Sequence, residues 1–151
     1  MKVNIGKYKK NGSSRTSNIQ IDKWDTWSLD HTLALIIAPA LKHYKETSQS
    51  YSGAFTTQEE WNVVLDKMIF AFETLATDNW EDQFHSGTHD MKFIPIDDEG
   101  NEVDKKDAVM YRTVKGPNDT HVFDEAGWNA YNDRIQEGLD LFGKYYRSLW
   151  D

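Results

Sequence analysis

The chain has no cysteine, which excludes disulfides, thiolate metal sites and a cysteine nucleophile. It has three prolines, and only Pro39 falls inside a helical pattern. It also lacks a long apolar run. The longest, Leu33 to Leu41, is too short to span a bilayer, so no membrane association is expected. The basic N-terminus, "MKVNIGKYKKNGSSR", is followed by no apolar core, so no secretion signal is expected either. A Gly-rich phosphate loop, a nucleophile elbow and a dinucleotide fingerprint are all missing, which leaves no motif-level case for an enzyme. No cofactor and no metal are expected, and no catalytic residue is assigned.

What is present is acid and aromatic side chains. The formal net charge is −8, with 25 acidic residues against 17 lysines and arginines, which disfavours general nucleic-acid binding. The basic residues are unevenly spread. Lys2, Lys7, Lys9, Lys10 and Arg15 crowd the start with no acid among them, as a solvated edge or an anion-binding arm would. Six tryptophans and seven tyrosines are many for 151 residues, and such rings serve either cores or contact surfaces. The length fits a single domain over 1–151.

The pattern predicts an α+β fold with three principal helices. Strands are expected over 2–8 and 18–24, with Val3, Ile5, Ile19 and Ile21 on one face and an Asn11–Gly12 turn between them. The first helix should start near Ser28 and kink at Pro39. Its apolar residues run almost all the way round, so it is expected to be the central, buried element. The second begins with a Thr57–Glu60 capping box and carries Trp61, Val64, Leu65, Met68, Phe72 and Leu75 at helical spacing. The third runs from Asp124 to about Leu149 with a seam through Trp128, Tyr131, Ile135, Gly138, Phe142, Tyr145 and Leu149. Residues 78–123 read as a second small β element with acidic turns, an excursion from the helical core.

The candidate site sits at the mouth of the first helix. Trp24 and Trp27 could wall a pocket with Asp30 and His31 on its floor. Asp30 shares a side with Ala34, Ile37 and Leu41, so it is expected to point partly inward and to need a partner, such as Arg134, Lys144 or His31. The structural reading of the same residues is a helix cap with a buried polar lock. Near the C-terminus, Tyr145, Tyr146 and Trp150 cannot all face one core, so Lys144, Tyr145 and Arg147 are read as ligand-facing or subunit-facing. His85 and His89 have an H-x3-H spacing, with Asp90 beside them, but Gly87 argues for a loop rather than a metal-binding helix. Glu59, Asp66 and Glu73 share a helix face and read as a solvated stripe.

The stretches "IQIDKWDTWSLDHTLALIIAPALKHYKET", "EEWNVVLDKMIFAFE" and "YNDRIQEGLDLFGKYYRSLWD" resemble a family of small, functionally uncharacterised tailed-phage proteins. The D-T-W-x-x-D-H-T-L-A element, Asp25 to Ala34, is the most specific part of the likeness. The resemblance implies a phage origin and a host-cytoplasmic or virion setting, but no activity and no site residues. The leading expectation is therefore a non-enzymatic accessory protein. It would bind a small anionic, nucleotide-type ligand through surplus Trp and Tyr rings for stacking and Arg15, Arg134, Lys144 and Arg147 for phosphate, for example to sequester a host-defence signal, and would form a homo-oligomer. The alternative is an interaction protein of the virion or of a host target. A third reading is a metal-dependent nucleotide hydrolase using Asp30, Asp66 and Glu73.

Overall fold

A computed structural model describes residues 1–9, 12 and 14–150. It has the expected α+β composition, with three helices and an N-terminal hairpin. The chain forms two compact units: 1–80 with 131–151, and 81–130.

The first unit opens with strands β1 (Lys2–Tyr8) and β2 (Arg15–Gln20), paired antiparallel with Val3 opposite Ile19. Asn11 of the expected turn and Lys10 of the basic arm lie outside the described residues. β2 lies upstream of the expected 18–24. The chain leaves the ladder after Gln20 because the Asp22 carboxylate accepts the Trp24 backbone N–H at 2.8 Å and the Asp25 carboxylate accepts the Asp22 backbone N–H at 2.8 Å. These side-chain acceptors offer the backbone a turn in place of a strand. Asp25 also pairs with the Met1 ammonium, and that contact, with the Asp22 N–H, holds its carboxyl below the usual range.

Helices α1 (Leu29–Thr47) and α2 (Gln58–Leu75) pack against each other. α1 is continuous through Pro39, which lies on its exposed side. α1 is not the central, buried element that its periodicity predicts. α1 buries only Ala34, Ala38 and Leu41, a stripe at i, i+4 and i+7. Leu29, Leu33, Leu35 and Ile36 remain exposed. α2 holds the centre instead, burying Trp61, Leu65, Met68, Ile69, Ala71 and Phe72. The reason is coverage: α1 closes one flank of α2, and α3 (Glu125–Tyr145) closes another, whereas among the described residues the far side of α1 has no such cover. At the α2–α3 crossing Gly138 lies against the Lys67 carbonyl and the Ala71 side chain, a separation that only a residue without Cβ permits. Phe142, Tyr145 and Leu149 complete the packing on the core.

The start of α2 follows the expected cap with one change. Thr57 Oγ1 accepts the Glu60 N–H at 3.2 Å. The Glu60 carboxylate reaches back to Thr56, accepting its N–H at 3.0 Å and its hydroxyl at 2.9 Å. Those donors hold the Glu60 carboxyl below its ordinary range.

The second unit is an interrupted antiparallel ribbon. β3 (His85–Ser86) pairs with β6 (Val122–Phe123), and β4 (Met91–Ile96) pairs with β5 (Met110–Lys115). Two short ladders thus replace the single β element expected between the second and third helices. Between them, Gly87 has φ +74° and meets the Thr120 backbone, while Asp90 and Asp119 accept backbone N–H groups of Asn118 and Asp90 at 3.0 and 3.1 Å. Asp124 begins α3 as expected, its carboxylate accepting the Gly127 N–H at 2.9 Å.

Candidate functional site

Trp24 and Trp27 lie on the turn that enters α1. Their rings stack with centroids 5.5 Å apart and planes 16° apart, and the Lys23 ammonium lies 4.8 Å from the Trp24 ring. They are 63% and 78% exposed, so they form a surface platform and contribute little to the core.

Asp30 does not point inward. It faces solvent, one turn along from the buried Ala34, and the expected buried Asp–Arg lock is absent. His31 makes the inward contact instead. Its Nδ1–H donates to the Leu75 carbonyl at 2.9 Å, and its Nε2 lies 3.7 Å from Asp78. The imidazole therefore ties the start of α1 to the end of α2 as a hydrogen-bonded structural residue, away from the Trp24–Trp27 platform's floor where the sequence places it.

The C-terminal group separates from the Trp platform. Tyr145 is half-buried, 5.2 Å from the Phe55 ring and edge-on to Trp61 at 5.7 Å, so its ring belongs to the core. Lys144 sits 5.0 Å from the Tyr145 ring, and Arg147 is exposed on the closing 3-10 turn. Arg134 lies 4.0 Å over Phe70. It lines a 290 Å³ cleft with Val63, Asp66, Lys67, Phe70 and Glu137. Lys67–Glu137 and Lys45–Asp66 ion pairs occupy much of that cleft's charge. Trp24 and Trp27 do not line it. The structure thus unites Trp24 with Trp27, and Lys144 with Tyr145, without joining both pairs in this cleft.

Arg15 serves its own hairpin, with Nε–H donating to the Gly6 carbonyl at 2.8 Å and its guanidinium 4.9 Å from the Tyr8 ring. The acids of the hydrolase reading are dispersed as well. Asp66 pairs with Lys45, Glu73 pairs with Lys42, and Asp30 is exposed. Among the described residues no group of three or more histidine or carboxylate side chains is arranged to hold a metal ion. No helix among them is long and apolar enough to cross a membrane.

Two features escape the sequence reading. One is the hairpin's apolar face. Val3 and Ile19 are directly opposed, Ile5 lies two residues along on the same face, and all three are 39–52% exposed, whereas Ile21, expected on this face, lies past the end of β2. The alternation is legible in the sequence, but its exposure is not: among the described residues of the first unit nothing buries this face. The other is a column of rings in the second unit. His85 Nδ1 and His121 Nε2 are 2.9 Å apart, and His89 stacks on His121 at 3.7 Å. His121 lies far from the H-x3-H pair in sequence, so only the antiparallel register brings it there.

Comparison with protein-family models, with curated proteins and with solved structures returned no match.

Proposed function

We propose that the protein is a non-enzymatic interaction protein that self-associates, its N-terminal hairpin acting as an arm that docks on a second copy. The single observation that carries this reading is the amphipathic hairpin whose apolar face, Val3, Ile5 and Ile19, lies open. A two-stranded ribbon is marginal in water without a hydrophobic face to cover. The occupant follows from charge. The first 21 residues hold five cations and no acid, so all 25 acidic residues belong to the rest of the chain. A basic, apolar-faced arm is complementary to the acidic remainder of another copy. The exposed Leu29, Leu33 and Ile36 of α1 offer further apolar area in the same unit. A role in a phage particle or against a host protein would use the same surfaces, in keeping with the likeness noted above.

Sedimentation velocity on the full chain tests this. The expected result is a dimer or larger species at micromolar concentration. An Ile5→Lys/Ile19→Lys variant should be monomeric while keeping its helical circular dichroism. A wild-type chain that stays monomeric at high concentration and low salt overturns the reading.

A second reading, a small planar anionic ligand such as a nucleotide, is supported by the stacked Trp24–Trp27 platform beside Lys23. It makes a separate prediction: nucleotides quench tryptophan fluorescence in the wild type and not in Trp27→Ala.

A further inference from the structure

We propose that His85, His89 and His121 form a proton-operated latch, closing the β3–β6 ladder while the imidazoles are neutral and releasing it when they become charged. The ladder itself is short. Beyond the two residue pairs, it is flanked by Asp124 N–H donating to the Phe84 carbonyl at 2.8 Å and Thr120 N–H donating to the Thr88 carbonyl at 3.0 Å. Backbone pairing of that length has little stability alone, so the side chains across it matter.

Those side chains form a column of four rings. Phe123 lies 4.9 Å from His85, His85 lies 5.1 Å from His121, and His121 lies 3.7 Å from His89, with successive planes within 30°. The 2.9 Å contact joins Nδ1 of His85 to Nε2 of His121, one ring on each strand. A neutral imidazole has one N–H and one lone pair, so this axis accommodates one hydrogen. With both rings charged every ring nitrogen carries a hydrogen, so two N–H groups would meet head to head. Charging would also place cations on stacked rings.

The surroundings can neutralise little of that charge. Asp119 lies 3.8 Å from His89 Nδ1 and acts on His121 as well, and its side chain is largely buried. It is already engaged by the Asp90 N–H at 3.1 Å and by Lys115 at 3.2 Å, which keep it ionised. Lys115 adds positive charge facing the column, and the Asp90 carboxylate is held by the Asn118 N–H at 3.0 Å. One compensated carboxylate therefore faces three imidazoles. Burial first, and then His89 and His85, hold the His121 pKa below the ordinary histidine value. The sign follows. A depressed imidazole binds fewer protons folded than unfolded, so its contribution is present above about pH 6.5 and is lost as pH falls through that value toward the folded one.

The test uses the full chain labelled with 15N. Imidazole nitrogen spectra report protonation, and amide exchange of Thr120 and Asp124 reports the ladder. Between about pH 7.5 and about pH 5, ladder protection, corrected for intrinsic exchange, is expected to fall about tenfold more than that of α2 core amides. His121→Phe keeps a ring in the column but removes the shared hydrogen, so its ladder protection should not vary with pH. His89→Gln removes a like charge and should move the His121 midpoint upward, which decides the matter if His121→Phe does not fold. Three imidazoles titrating independently at the ordinary value, with ladder protection constant, would overturn the latch.

Discussion

At the scale of single residues, the function of a side chain here depends on which neighbour reaches it. Gly138 is the clearest case. The Lys67 carbonyl and the Ala71 Cβ occupy the place where its own Cβ would stand, the latter 2.6 Å away. Gly138→Leu should destabilise the fold by about 1–3 kcal/mol through overpacking, read as a lower midpoint in urea unfolding. A shift within about 0.5 kcal/mol would mean the helices can part freely. Trp27 is the opposite case. At 78% exposure it has little packing to lose, so Trp27→Ala should leave the thermal midpoint close to wild type. A cooperative loss of structure in that variant would place the ring in the core after all.

At the scale of elements, the entry to α2 is the best defined. Thr57 and Glu60 satisfy backbone donors on both sides of the helix start. Thr57→Ala should cost about 1 kcal/mol, measured by denaturant unfolding at neutral pH. The Glu60 carboxyl is depressed by the Thr56 N–H, then by the Thr56 hydroxyl. Its contribution is therefore present above the unfolded glutamate value of about 4.3 and is lost as pH falls through the lower, folded value. Glu60→Gln should flatten that acid-side dependence; an unchanged pH–stability curve would count against the assignment. α1 shows the other limit of element-level reasoning. Its apolar periodicity is nearly continuous, yet one stripe of alanines and a leucine carries its burial, because a helix buries only the sides that neighbours cover.

At the scale of the whole molecule, each of the two units has apolar surface to spare. The β1–β2 hairpin opens its aliphatic face, and in the second unit the β4–β5 ribbon exposes Phe93, Tyr111 and Met110. Apolar patches of this kind mark contact surfaces more often than idle ones. If the basic arm and acidic body drive self-association, the association should weaken between low salt and physiological salt, because exposed charges are screened beyond about 8–10 Å there. Association that strengthens with salt would point to the aliphatic face alone.

The sequence by itself determined the helices, their caps at Thr57 and Asp124, the α+β class and the amphipathic character of the first hairpin, because each depends on residues within a few positions of one another. It also singled out Trp24 and Trp27 as a pair, and the local turn at Asp22–Asp25 stacks them. Only the tertiary structure decided that α2 is central, that Asp30 turns to solvent while His31 turns inward, and that His121 meets His85. Those outcomes depend on which faces neighbouring elements cover and on strand register across long stretches of chain, and helical or strand periodicity records that a face is apolar without recording what covers it.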